Sequence, residues 1–315
     1  MNLHKPTSSN LTDTHRELFA QGADLIASTG SYLAGLWFNH TPIHGNHPIG
    51  TIGGCRLDDS ADASRFLSDC ASYLHQHHQC RTVVGPMNGN TWLQHRLVIE
   101  SNGRDPFFME PVEPGYFFNT FAATGFSVLS RYSSSTIDLT IPQKDYASMA
   151  SRLGKNGVTF RSINPDAFAQ DLTAIFDLSL ISFSSNFLYT PLSKAAFVGK
   201  YMSTREHIDP DMVILAERDG GLMGYVFCMP DLIAHQLGKK PSVIIKTLAA
   251  LPDRSLSGVG TVLVAKAQQI ARDKGYTEAI HALQYESNSS LRISQRFKAS
   301  VFRRYALMVK SFPSP

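Results

Sequence analysis

From Val243 to Val309 the apolar and polar positions fall into two alternating periods. Residues 243–250 (Val-Ile-Ile-Lys-Thr-Leu-Ala-Ala) form an apolar run ended by Pro252 and a Ser/Gly-rich turn, which predicts a buried strand. Val262, Leu263, Ala267 and Ile270 then recur on one face of a 3.6-residue period. A helix is therefore expected over 259–274, stopped at Gly275, where glycine can take the left-handed cap. A strand near 277–284, a short helix from about Asn288 to Arg296 and a strand near 301–309 complete the order.

The first half repeats it, with a strand near 49–56, a helix near 61–78, a strand near 81–87, helical segments between 91 and 125, and a strand from 127 onward. Ser127-Val-Leu-Ser-Arg-Tyr132 echoes Ser300-Val-Phe-Arg-Arg-Tyr305, with four identities in six positions at the same place in both orders. Internal duplication is the inference. The first copy carries a Pro-rich loop around 99–118, including Asp105-Pro106-Phe107-Phe108 and Glu113-Pro114-Gly115, and the boundary is expected near 140–160.

Length supports that division, because 315 residues exceed what one core usually organises, and 1–145 and 146–315 are the expected domains. An apolar share of 43% with only 17% charged residues describes a well-buried globular chain. The formal charge of +3 is small and its Lys and Arg residues are spread out, so a nucleic-acid partner is not expected. No stretch reaches the roughly 18 unbroken apolar residues of a membrane span. The first twenty residues, with His4, Lys5, Asp13, Arg16 and Glu17, lack the apolar core of a secretory signal. Cys55, Cys70, Cys80 and Cys228 form no CxxC pair, which suits free thiols in the cytoplasm. His75, His77, His78 and Cys80 fit no standard tetrahedral spacing, and no metal is expected.

The chemistry concentrates between the first strand and helix of the second copy, in Pro252–Thr261. Gly258 and Gly260 let the backbone approach an anion, and the first N–H groups of the following helix have no intrahelical partner. The same residues would also serve a tight strand-to-helix turn.

The run Val243–Val309 resembles the acetyl-coenzyme A binding core of GNAT N-acetyltransferases, whose loop reads Gln/Arg-x-x-Gly-x-Gly/Ala. Gly258 and Gly260 match its small positions, whereas the Gln/Arg position holds Ser255, with Arg254 one residue early. The resemblance implies an α/β (α+β) fold of two tandem GNAT-like domains, each a mixed, mostly antiparallel twisted sheet flanked by helices. It implies an acyl-coenzyme A, acetyl-coenzyme A first, with its pantetheine arm against Leu248, Ala249 and Ala250. Ser255, Leu256, Ser257, Gly258, Val259, Gly260 and Thr261 would surround the pyrophosphate, and Asn288 would contact the arm or serve as a plain N-cap. In the first copy Ala63 and Arg65 stand opposite the two glycines, just after Asp58, Asp59 and Asp62, whose charges oppose a pyrophosphate. That copy is expected to be degenerate.

Acyl transfer to an amine needs a neutral nucleophile, a group to take its proton and donors that polarise the thioester carbonyl. Family bases project from the fourth or fifth strand, which selects Glu286 and His281. The alternatives are a solvated carboxylate at a helix start and a core imidazole. Where the family often places an acid Tyr, this chain has Gln295, leaving Tyr305 as the substitute phenol or as strand packing. Asn186 and Tyr189, in Ser182–Pro191, and Asn88 and Trp92, in Gly85–Trp92, are candidate acceptor contacts or turn residues. The expected function is transfer of an acetyl or other acyl group to an amine of a small molecule. The alternatives are an acyl-carrier-protein or aminoacyl-tRNA donor, or a catalytically silent coenzyme-binding or regulatory protein.

Overall fold

The computed structural model describes residues 1–203 and 205–313. The first half runs β1 (Asn2–His4), α1 (Asp13–Ala20), β2 (Leu25–Ser28), β3 (Leu33–Trp37), a small hairpin β4 (Ile43–His44) and β5 (His47–Pro48), β6 (Gly50–Arg56), α2 (Ala61–His78), β7 (Thr82–Gly85), β8 (Leu97–Ser101), α3 (Phe117–Ala123) and β9 (Ser127–Asp138). The second runs α4 (Ala147–Lys155), β10 (Thr159–Ser162), α5 (Phe168–Phe183), α6 (Lys194–Met202), β11 (Val213–Arg218), β12 (Gly221–Pro230), α7 (Leu232–Gln236), β13 (Ser242–Ala250), α8 (Val259–Asp273), β14 (Glu278–Tyr285), α9 (Ser289–Arg296) and β15 (Ser300–Ser311). Among the described residues no helix is long and apolar enough to cross a membrane.

One mixed sheet of thirteen strands spans both halves, in the order β1-β2-β3-β6-β7-β15-β9-β14-β13-β12-β11-β10, with β8 beside β15. Pairing is antiparallel except at β6–β7 and β13–β14. The two halves exchange their last strands. β9 leaves the first half to pair with β14, and β15 returns from the second to pair with β7 and β8. The sheet therefore does not divide at residue 145, and each half depends on a strand from the other. β9 and β15 also pair with each other along nearly their whole length.

Period-two alternation decides the layers. On β11, Ile214 and Ala216 face a core with α4 and α8, while Val213 and Leu215 face α5 and α6. α8 docks through Val259, Val262, Leu263 and Val264, each at most 2% exposed, and each contributes about 1.5–3 kcal/mol of apolar burial. In the first half α2 packs an apolar face, Phe66, Leu67, Cys70 and Leu74, on β3 and β6. Its end uses the histidines for packing, with His75 stacked on Phe312 and His78 on Phe38.

One sequence expectation fails here. Between 91 and 125 only Phe117–Ala123 is helical, and Leu97–Ser101 is a strand. Its Leu-Val-Ile run suits a pleated surface, and the partner that draws it into the sheet is β15, far away in sequence.

Candidate functional site

β13 and β14 run parallel only from Ser242–Glu278 to Ile245–His281. Past that point β13 follows β12 and β14 follows β9, so the two strands fork. The register slips between His281 and Gln284, and Leu283 takes φ +55° there, a conformation costly for a side chain of this kind. A cavity of about 420 Å³ opens in the fork. Leu248, Ala249 and Ala250 of β13 line it, and so do Gly260 and Val264 of α8 and Asn288, Ser290 and Ile293 from the start of α9, with Gly260 and Ile293 close together.

The opposite wall comes from both halves. Asn186 and Tyr189, after α5, line the cavity together with Trp92 of the first half. Trp92 Nε1 donates to the Thr190 carbonyl at 2.7 Å, which fastens the 182–191 loop across the halves. Asn88 is elsewhere. Its Oδ1 accepts from Gly54 N at 2.8 Å and its Nδ2 donates to Gln21 Oε1 at 2.8 Å, so it is a buried strut and not an acceptor contact.

That strut reveals the difference between the copies. β6 and β7 also run parallel, but beyond them Met87 N donates to Ile52 O at 2.8 Å and the chain stays against β6. A Cβ on Gly53 would lie 2.5 Å from Met87 backbone, so the equivalent fork is filled. The helix starts differ as well. Ser60 caps α2 by accepting from Ala63 N at 3.1 Å, whereas no side chain caps α8 behind Gly258, which sits at φ +101°.

Around the α8 loop the side chains nearest the backbone come partly from residues outside 252–261. Leu256, Val259 and Thr261 bury their side chains and offer only backbone. Ser255 Oγ donates to Asp253 at 2.8 Å and accepts from Arg218 Nη1 at 3.0 Å. Arg152 of α4 donates Nη2 to the Ser257 carbonyl at 2.5 Å. Two guanidinium groups thus flank the loop at whose Gln/Arg position this chain has Ser255. A Cβ on Gly260 would come within 3.1 Å of Ile293 Cδ1, so any side chain there must push Ile293 aside and narrow the cavity. An uncapped helix start, flanking arginines and a glycine-lined groove fit a pyrophosphate on a pantetheine arm.

The three catalytic candidates do not come together. Glu286 accepts from Arg304 Nη1 at 2.7 Å and is not in the cavity wall. Tyr305 is fully buried, receives a hydrogen bond from Ser134 Oγ at 3.0 Å and donates to Glu110. Burial, and then the neighbouring Glu110 carboxylate, push its phenol far above the ordinary range. It is core, consistent with its strand position. Gln295 points outward, exposed. His281 does line the cavity, but both ring nitrogens are engaged. Gln268 Nε2 donates to His281 Nε2 at 3.2 Å, His281 Nδ1 donates to Ser294 Oγ at 2.6 Å, and Ser294 donates to Gln284 Oε1 at 2.8 Å. Burial lowers its pKa to about 4, so the ring is neutral at physiological pH and holds the fork in place.

Sequence reasoning missed Arg96, Lys246, Tyr132 and Tyr285, all in the wall. Tyr285 stacks on Phe187 at 5.4 Å. Lys246 is the first residue of β13 past its last partner on β14, and its Nζ reaches Met109 Sδ of the first half at 3.0 Å. Burial, with Lys200 nearby, lowers its pKa to about 8. Lys246 lay inside the predicted strand, and its place at a fork was the available signal. Arg96 carried none.

Comparison with known proteins bears on this site. Residues 174–297 match the acetyltransferase (GNAT) family. A GCN5-related N-acetyltransferase from Sphaerobacter thermophilus superposes with TM-score 0.55 at 14% identity, over 92% of this chain and 81% of that one. A tandem GNAT protein from the clavulanic acid biosynthesis pathway does so at 0.50 and 13%, over 92% and 83%. The glucosamine N-acetyltransferase region of a fungal multi-domain GH3 β-N-acetylglucosaminidase gives 0.59 and 13%, over 95% of this chain and 35% of that one. At such identities the likeness is one of fold. No curated protein matches the chain at a significant level.

Proposed function

The chain carries a GNAT acetyltransferase domain in its C-terminal half, and from that premise we propose that it transfers an acyl group, acetyl first, from coenzyme A to an amine on a small molecule. The observation that carries this reading is the fork, which opens into a cavity between β13 and β14 and is filled between β6 and β7. Leu248, Ala249, Ala250 and Asn288 would hold the pantetheine arm. The first N–H groups of α8, with Arg152 and Arg218, would hold the pyrophosphate. When bound, the thioester supplies an activated acyl carbon, so that a C–N bond forms as the C–S bond breaks.

The residues of the wall prepare the amine. Arg96, which stays charged at neutral pH, disfavours an ammonium in the cavity and so favours the neutral nucleophile. With a pKa of about 8, Lys246 has an appreciable unprotonated fraction near neutrality and takes the proton that the amine loses. Among the described residues the wall contains no carboxylate to do so instead. Four unpaired cysteines suit a reducing compartment, and we place the reaction in the cytoplasm.

Calorimetric titration with acetyl-coenzyme A tests the reading, alongside Gly260→Glu, whose side chain would block the groove. Saturation near one equivalent, lost in the variant, supports it. Two equivalents would mean that the first copy also binds. No binding would sink the coenzyme donor, and an acyl-carrier protein presenting the same arm would then take its place.

A further inference from the structure

The cavity is one-sided in charge. Among the described residues of its wall none is Asp or Glu, while Arg96 and Lys246 are both cations. Arg96 is only 8% exposed and sits at φ +72°. Its Nη1 donates to the Leu283 carbonyl at 3.1 Å, its Nη2 to His95 Nε2, and its plane lies 4.2 Å above the Tyr132 ring. Its Nε is buried and has no partner.

None of these neighbours is an anion. His95 spends its Nδ1 proton on the Leu93 carbonyl at 2.8 Å, and desolvation followed by the Arg96 charge holds its pKa well below the ordinary value, so it is neutral. Burial lowers Arg96 itself only to about 10, which leaves the guanidinium charged at neutral pH. A buried charge is ordinarily paired, because its desolvation is otherwise uncompensated. Here no described residue supplies a counter-charge, and Arg96 is part of the cavity wall. Nε is shut off from the cavity, but each Nη carries two protons and spends one in the bonds above, so the Nη pair retains the N–H groups that can receive a carboxylate side by side.

We propose that the acceptor is an amine of amino-acid type, whose carboxylate is received by Arg96 at the wall opposite the coenzyme groove. This rests on the acyl-transfer reading above and narrows its acceptor. A bare polycationic amine would meet two positive charges with no carboxylate to offset them, so the same wall selects against it.

The test uses the intact chain with coenzyme A bound as the non-reacting product. Binding of L-α-amino acids and of straight-chain ω-amino acids is measured by calorimetry and compared with their carboxamides and with aminoalkylphosphonates. Acetylation of the same compounds is then followed with acetyl-coenzyme A. At least one acid is expected to bind and react, with its carboxamide weaker by about 100-fold, the loss typical of a buried charge partner. Arg96→Met is expected to bring the acid-to-amide ratio near one, and Arg96→Lys, which keeps the charge without the fork, to an intermediate value. The comparison on the unaltered chain stands even if a variant fails to fold. Equal binding of acids and amides, preference for the phosphonates, an unchanged ratio in Arg96→Met, or no reacting acid on a chain that binds acetyl-coenzyme A would each overturn the proposal. Failure of the acyl-transfer reading is seen separately, as a chain that does not bind acetyl-coenzyme A.

Discussion

Tyr132 and Tyr305 stand directly opposite each other in the antiparallel ladder between β9 and β15, and they are the same position of the two sequence copies. An antiparallel pair in which a residue meets its own equivalent has a local two-fold axis at that point, as an isologous dimer interface does. The echo between Ser127–Tyr132 and Ser300–Tyr305 therefore marks the seam of the molecule.

The seam makes the halves interdependent. A chain of residues 146–315 lacks β9 and would expose an edge of β14 and both edges of β15. It is expected to aggregate or to unfold without a cooperative transition by circular dichroism and size exclusion. Mixing it with residues 1–145 should restore a one-to-one folded complex. A monomeric 146–315 with a sharp transition would show that the exchange is dispensable.

Acid should loosen the fork. His281 holds a pKa of about 4 in the folded chain against 6.5 in an ordinary imidazole. The unfolded chain therefore takes up a proton first, and the contribution to stability, whole above pH 6.5, is lost as pH falls towards 4. Its size is at most about 3 kcal/mol. His95, lowered for the same reason, adds to the slope. Urea unfolding of His281→Asn should depend less steeply on pH across this window than that of the unaltered chain.

Lys246 is expected to set the acid limb of the activity profile. As a base with a pKa of about 8, it should make kcat/KM rise with pH through that value and then level. Lys246→Met should lower kcat by about 100-fold or more and move the limb away from pH 8. A retained limb would assign it to another group.

Trp92 fastens the 182–191 loop, proposed to contact the acceptor, by one hydrogen bond to Thr190. Trp92→Phe keeps an aromatic ring and removes the donor, a loss of about 1 kcal/mol. The acceptor KM is expected to rise several-fold while the calorimetric Kd for acetyl-coenzyme A holds. Parallel loss of both would mean that the bond supports the fold and not the loop alone.

Much of the second half was legible because its periods are clean. The helix expected over 259–274 is Val259–Asp273, and the strand expected over 243–250 is Ser242–Ala250. Gly258 and Gly260 could be placed because a strand-to-helix loop is local. What escaped was non-local. Leu97–Ser101 becomes a strand beside β15, and Glu286 lies outside the cavity wall, paired with Arg304. Arg96 and Lys246 line one cavity from the two halves, and no spacing in the sequence records that they do. Asn88 looked like a ligand contact because Gly, Pro and Asn mark binding loops and closed turns alike.

The strand exchange also governs how the chain is made. A tandem protein can ordinarily fold its first unit while the second is still being synthesised. Here the strand that β7 and β8 await is Ser300–Ser311, so the first half remains open-edged until nearly the whole described chain has left the ribosome. Its exposed edge in that interval is an invitation to mispairing, and rapid completion of the chain is its remedy.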